Sequence, residues 1–238
     1  MTPWHNAPPM AKRTYSKFRS LSRYQTARGI EGEFQPGSGR RVLANKLGIR
    51  SKLLMDRLEF ESLVKAQEKY LTIITTETMF SADLVRSMHR EWLGEIYQWA
   101  GDYRSVELSK GGFTWPPAKL VAQNMASVEK QTLQRWTPCR AGPTFGVAQA
   151  MAHVQCDLLF VHPFREGNGR IGRWVTDLMA MQAGLPALDY AFRGRGGLRR
   201  RHDYLAAVTD GYGGNYERLA RLLVEAIERA VERAERER

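Results

Sequence analysis

Apolar residues recur along this chain at helical spacing almost throughout, and alternate like a strand in one place only. Leu53, Phe60, Val64 and Leu71 lie at offsets 0, 7, 11 and 18, the buried stripe of an amphipathic helix. Ser81 is placed to cap a helix whose Leu84, Met88, Trp92 and Ile96 repeat every fourth residue. After Gly101 the period changes. Val106 and Leu108 alternate with polar neighbours, Lys110-Gly111-Gly112 can turn, and Phe113 and Trp115 alternate again, which predicts a short β-hairpin. Pro116-Pro117 opens a helix through Val121, Met125 and Val128.

The cleanest periodicity follows. Val147, Met151, Val154, Leu158 and Val161 form one face, and Pro163 biases His162 out of the α region, so that helix stops there. A second helix starts near Arg170, with Ile171, Trp174, Leu178 and Met181 as its buried stripe and Gly184 then Pro186 as its stop. A shorter helix covers Arg199–Thr209. Asn215 can cap a last one through Leu219, Leu222, Ala226 and Ala230, with Glu217–Arg221, Glu225–Arg229 and Glu232–Arg236 pairs on its wet side. The pattern is an all-α domain carrying one hairpin, over residues 41–238, behind an arm over residues 1–40 that is rich in Pro, Gly, Ser and basic residues.

Composition adds limits. At 238 residues, 43% hydrophobic and 26% charged, the chain can bury a core without disulfides. Two cysteines form no framework, and no apolar run is long enough for a membrane span. These features lead us to expect a soluble, cytoplasmic protein with no membrane partner, leaving secretion into a host cell open. The net charge of +11 is not spread evenly. Residues 1–30 hold six basic residues and no acid, and residues 191–202 hold five arginines and no acid. Without these two segments, acid and base balance. The arm reads first as a solvated terminus, and second as a tether for nucleic acid or an acidic partner.

The chemistry is concentrated between the two best-patterned helices, in His162-Pro163-Phe164-Arg165-Glu166-Gly167-Asn168-Gly169-Arg170-Ile171-Gly172-Arg173. Two glycines around an asparagine, directly before a helix, let successive N–H groups point at one anion, and the helix terminus adds positive potential there. Arg170 and Arg173 are neighbours on the first helical turn, and both are forked phosphate ligands. Glu166 offers a hard oxygen for Mg²⁺, and His162 can take a proton near neutral pH. Phe164 reads as a hydrophobic peg. Singly, each feature is ordinarily structural; together they describe a site for a polyphosphate and its metal, with a base beside it. The segment also satisfies GxGxxG, but the run before it has helical period and no strand-rich run follows, so a dinucleotide-binding fold is excluded. There is no Walker lysine and no zinc-ligand spacing.

This loop resembles the signature HxFx[DE]GNGRxxR of the Fic (filamentation induced by cAMP) family, matched at every fixed position by His162, Phe164, Glu166, Gly167, Asn168, Gly169, Arg170 and Arg173. Asn45–Ile49, Ile96–Gly101 and Leu108–Gly112 are similar to segments of bacterial toxin-type members. The resemblance implies a Fic-type helical core with a hairpin flap, transferring AMP from ATP to a Tyr, Ser or Thr hydroxyl of a target protein. It implies that His162 deprotonates the hydroxyl and that Glu166 holds Mg²⁺. Gly167, Asn168 and Gly169 would form the anion hole, and Arg170 and Arg173 would bind the β- and γ-phosphates. The flap Lys110, Gly111, Gly112, Phe113 and Thr114 would pin the target by main-chain bonds. Members are often restrained by a glutamate in [ST]xxxE[GN]; this chain carries no such pattern, which leads us to expect a small antitoxin partner that supplies it. The alternatives are transfer of phosphoryl, UMP or phosphocholine by the same fold, and a basic nucleic-acid-binding helical protein. Kinase-type members carry Lys where Gly169 stands, which favours AMP.

Overall fold

The computed structural model describes residues 33–237. Most of the basic arm, residues 1–32, lies outside them. Its last residues belong to a tight turn ahead of the first helix: Phe34 bridges Leu43, Gln35 N–H donates to Val42 O at 2.9 Å, and Ser38 is buried.

Helix α1 (Lys52–Ile73) is capped by the Ser51 side chain. It lies along α2 (Ala82–Leu93), whose predicted cap Ser81 accepts from Leu84 N–H. The stripe expected to be the buried face of α1 is its exposed face. Leu53 is 81%, Phe60 54%, Val64 36% and Leu71 49% exposed, while Met55, Glu59, Ala66 and Tyr70 are buried. The helix is apolar on two sides, and its packing partners α2 and Trp174, which meets Tyr70 edge-on, take the other one.

The predicted hairpin is present as β1 (Ser109–Lys110) and β2 (Phe113–Thr114), antiparallel, with Lys110 opposite Phe113. Gly111 and Gly112 both turn with positive φ, 61° and 84°, the conformation of a two-residue hairpin loop that only glycine takes freely. Val106, Leu108 and Trp115 form a small second core beneath it. Helix α3 (Val121–Val128) runs through a π turn at Glu129–Leu133 into the single turn α4 (Gln134–Trp136).

The centre of the molecule is α5 (Thr144–Val161), buried on nearly every side by α6 (Asn168–Gln182), α7 (Gly197–Gly211), α8 (Glu217–Arg236) and α3. Its run of small and apolar side chains, Ala148, Ala150, Ala152 and Val154 among them, lets neighbours approach from all directions. Ile171, Trp174 and Leu178 of α6 are buried as predicted, but Met181, in the last turn, is half-exposed because α6 ends at the edge of the core. Asn215 does not cap α8. The helix begins after Tyr216 with no side-chain cap, because Asn215 N–H turns back to Asp210 O, and Glu217 instead places negative charge in the first turn. The three predicted Glu–Arg pairs of α8 form, at 2.6, 3.5 and 3.3 Å.

Candidate active site

The last turn of α5 delivers His162. Pro163 denies it a helical conformation, and His162 closes the helix in the left-handed region, φ 52° and ψ 60°, with its N–H on Leu158 O at 3.0 Å. A non-glycine residue in this region is strained, and it persists because its surroundings hold it. The ring Nδ1 lies 2.9 Å from Leu159 O. A carbonyl only accepts, so Nδ1 carries the hydrogen and Nε2 is the accepting nitrogen of the ring. Trp115 covers the ring at 4.0 Å between centroids, and its indole N–H also donates to Leu159 O. Burial drives the imidazole pKa down to about 3; Arg104 and Lys110 push the same way, and the bond to Leu159 opposes them. His162 is therefore neutral at any physiological pH.

Its carbonyl is held by a residue the sequence did not single out. Arg104 is buried, and its guanidinium donates to His162 O at 2.8 Å, Val106 O at 2.9 Å, Pro116 O at 2.6 Å and Val161 O at 3.4 Å. Its backbone N–H donates to Pro163 O at 2.8 Å. One cation thus satisfies carbonyls at the end of α5, where positive charge is favourable, and ties both arms of the hairpin to them.

The other end of the loop is set by α2. Phe164 is fully buried and stacks on His89 at 3.9 Å and 3° between planes, the peg expected from sequence. Gly101 N–H donates to His89 Nδ1 at 2.9 Å, so Nε2 carries the proton and donates to Glu166 O at 3.0 Å. Burial lowers the His89 pKa to about 3, which keeps that neutral tautomer. Gly167 turns at φ 87° with Trp92 so close that a Cβ would sit 2.7 Å from the ring, so both conformation and space demand glycine. Asn168 braces the loop: its Oδ1 accepts from Phe164 N–H at 2.8 Å and its Nδ2 donates to Phe164 O at 2.7 Å. Asn168 and Gly169 then begin α6, where the first backbone N–H groups have no preceding turn to donate to.

The two arginines are held differently. Arg170 donates to Glu59 Oε2 at 2.8 Å, lies 3.5 Å from Glu166 Oε1, and stands over the Trp92 ring at 4.4 Å. Glu59 is wholly buried on α1, and its other oxygen accepts from Tyr97 OH at 2.6 Å. Arg173 lies against the rings of Tyr190 and Phe192, at 6.0 and 5.7 Å, and makes no ion pair among the described residues. The expected flap residues Lys110, Gly111, Gly112, Phe113 and Thr114 form the hairpin tip, with Phe113 against Tyr212 at 5.2 Å. The arginines of 191–202 are mostly solvent-facing, while Arg200 ties down its own loop through Ala191 O and Arg195 O.

The donor set limits the metal. No group of three or more His, Cys, Asp or Glu side chains converges among the described residues, so there is no protein cage. A single carboxylate, Glu166, partly exposed at the start of α6, suits Mg²⁺, which takes one or two carboxylates and completes its shell with phosphate and water. Glu59, His89, Arg104 and Trp115 are the site residues that sequence reasoning missed. His89 and Glu59 sit within helices whose other faces gave the pattern, and Arg104 is one isolated cation beside the hairpin, so no local signal marks them.

Residues 79–180 match the profile of the Fic/DOC family. Among curated proteins, the chain is 24% identical over 196 residues to Protein adenylyltransferase Fic of Nematostella vectensis, covering 81% of this chain and 43% of that protein. It is 26% identical over 183 residues to Protein adenylyltransferase VbhT of Bartonella schoenbuchensis, covering 76% and 36%. The chain thus spans less than half the length of these two relatives. Among solved structures, it superposes on the BepC protein of Bartonella tribocorum with bound AMPPNP at TM-score 0.65 and 20% identity, over 82% of this chain and 96% of that one. An N-terminal Fic domain from Bartonella quintana with bound ADP gives 0.63 and 19%, over 82% and 94%. Residues 79–180, which hold α2, the hairpin and the His162–Arg173 loop, thus match the Fic/DOC family, and the all-α core has the fold of solved Fic domains.

Proposed function

We propose that this protein is a protein adenylyltransferase, moving AMP from ATP to a hydroxyl side chain of a target protein, with His162 as base. The observation that carries the reading is the fixed tautomer of His162: Nδ1 is committed to Leu159 O, and Nε2 has only a lone pair to offer. Nε2 takes the proton of the target hydroxyl as its oxygen bonds to the α-phosphorus. The bond from that phosphorus to the bridging oxygen breaks, and pyrophosphate leaves. A base with pKa near 3 is weak, but the negative charge of a bound triphosphate offsets Arg104 and Lys110 and strengthens it.

The backbone of Gly167, Asn168 and Gly169 with the α6 terminus receives phosphate oxygens, and Arg170 and Arg173 bind the outer phosphates. Glu166 would hold a magnesium ion, which when bound supplies charge neutralisation on the phosphates. The flap adds a strand-like edge on which an extended target segment lies, bringing its hydroxyl to His162. The domain comprises residues 41–238, and the arm before it is not needed for the chemistry. Arg173, which lies against Tyr190 and Phe192 with no carboxylate at ion-pair distance among the described residues, is where a small antitoxin's glutamate would pair and displace the γ-phosphate, making this chain the toxin of a cytoplasmic pair.

The test is label transfer with ATP marked at the α- or at the γ-phosphorus, with Mg²⁺, followed by intact mass of the modified protein. Transfer of the α label, abolished by His162→Ala while nucleotide binding persists, is the expected result. Transfer of the γ label alone would mean phosphoryl transfer, and full labelling by His162→Ala would remove the base.

A further inference from the structure

Arg170 and Arg173 are neighbours on the first turn of α6, and they are held by different chemistry. Arg170 meets the buried carboxylate of Glu59, whereas Arg173 lies against aromatic rings. The Tyr190 and Phe192 centroids are 6.0 and 5.7 Å from its guanidinium carbon, within the ~6 Å reach of a cation–π contact. Tyr204 of α7 makes the third side. It is buried, which raises its hydroxyl to about 12, and the Arg173 guanidinium beside it acts the other way. The three rings also touch one another: Tyr190–Phe192 at 5.3 Å, Tyr190–Tyr204 at 5.7 Å and Phe192–Tyr204 at 5.2 Å between centroids. They form one cup. It is fixed by a strap, residues 185–192, that folds back along α6. Leu188 N–H donates to Asp177 Oδ1 at 3.1 Å, and Tyr190 OH shares a hydrogen bond with Thr176 Oγ1 at 2.8 Å. From α8, Arg229 donates to Asp189 O at 3.1 Å, and Arg233 lies 3.6 Å from the Asp189 carboxylate. Ala191, between the two strap rings, sits at φ 47° and is held there by its N–H on Asp189 Oδ1 and by Arg200 on its carbonyl, each at 2.8 Å.

We propose that Tyr190, Phe192 and Tyr204 are positioning residues, an aromatic cup that holds the Arg173 guanidinium ready for the γ-phosphate without neutralising it. The inference rests on the reading of Arg173 as a ligand of that phosphate. A carboxylate would also fix the guanidinium, but it would compete with phosphate for the same N–H fork. A ring face attracts the cation through its quadrupole and leaves the guanidinium edge to an oxyanion. Arginine has many rotamers, so holding it in place beforehand lowers the ordering cost when the nucleotide binds.

The experiment is calorimetry on the full chain with Mg-ATP and with Mg-ADP, which lacks the γ-phosphate. Phe192→Leu keeps apolar bulk and removes the ring. It should weaken ATP binding about fivefold and leave ADP binding unchanged. Phe192→Tyr, which keeps the ring, should restore the wild-type affinity. In an Arg173→Ala background, Phe192→Leu should weaken ATP binding no further. Equal losses for ATP and ADP, the same fivefold step without Arg173, or a Phe192→Tyr as weak as Phe192→Leu would make the ring a packing residue and overturn the proposal. If Arg173→Ala weakens ATP binding and Phe192→Leu does not, the phosphate reading stands and the positioning role falls. If ATP binding is indifferent to Arg173→Ala, the reading of Arg173 itself is wrong and the proposal goes with it.

Discussion

Helices α5 and α1 are both apolar on more than one side, and the molecule treats them in opposite ways. Around α5, four helices close on nearly every side, and even its polar residues are used: Gln155 reaches Thr176 and Tyr190, and Asp157 takes hydrogen bonds from Thr132 and Tyr216. Along α1, neighbours cover one side only, and the side they cover includes a carboxylate, Glu59, while phenylalanine and leucines face out. Burial is decided by which element arrives, and a helix can give its more polar side to the core when that side carries a partner for a buried charge. The difference extends to function. The end of α5 is held from several directions at once, which fixes His162 in a strained conformation, whereas α1 touches the site through one side chain.

That contrast is broken or sharpened first at Arg104. Replacing it by Met removes four donors from carbonyls at the end of α5 and the base of the flap. Turnover should fall by about a hundredfold, the cost of misplacing a reacting group by an ångström. Nucleotide affinity, measured by calorimetry, should stay unchanged, since the Glu166-Gly167 end of the loop is held by α2 and not by Arg104. A matching loss of nucleotide binding would show that the loop is one unit and not two held ends.

Next comes the single contribution of α1. Glu59→Gln keeps the shape and the Tyr97 bond but removes the charge opposite Arg170, and should change nucleotide affinity about tenfold with little change in melting temperature. Glu59→Ala should also cost about 3 kcal/mol in a denaturant titration, the low end for breaking a buried pair because Arg170 keeps a solvated edge. Equal effects of the two changes on nucleotide binding and on stability would reduce Glu59 to a packing residue.

The smallest effect is on pH. Burial lowers His89 and His162 to about 3 and His153 to about 4, so between pH 6.5 and 4 the unfolded chain takes up three protons that the folded one refuses. Asp177, raised to about 7 by burial, and Asp157, raised in direction, act the other way by holding protons in the folded state. The three histidines outweigh the aspartates, so stability declines as pH falls from 6.5 toward 4. Melting temperatures across that range should show this slope, and His89→Gln should flatten it.

The same contrast separates what could be read from sequence. The helical period of 147–161, the stop at Pro163 and the turn at Gly111-Gly112 are local, because spacing and backbone freedom are properties of a few adjacent residues. So is the co-occurrence of His162, Glu166, the glycines and the two arginines in twelve positions, which is why the candidate site was legible before the fold. The partners of that loop were not. Arg104 is 58 residues from His162, His89 is 77 from Glu166, and Glu59 is 111 from Arg170.

The sequence by itself determined that this is a helical protein with one hairpin and a glycine- and arginine-bearing loop between two helices, since periodicity and motif spacing carry that information locally. Only the tertiary structure decided which face of α1 is core, which tautomer His162 adopts, and that Arg170 meets a buried carboxylate while Arg173 lies against aromatic rings. Those depend on which groups meet after the chain has closed on itself, and a side chain's spacing along the chain does not say what stands opposite it.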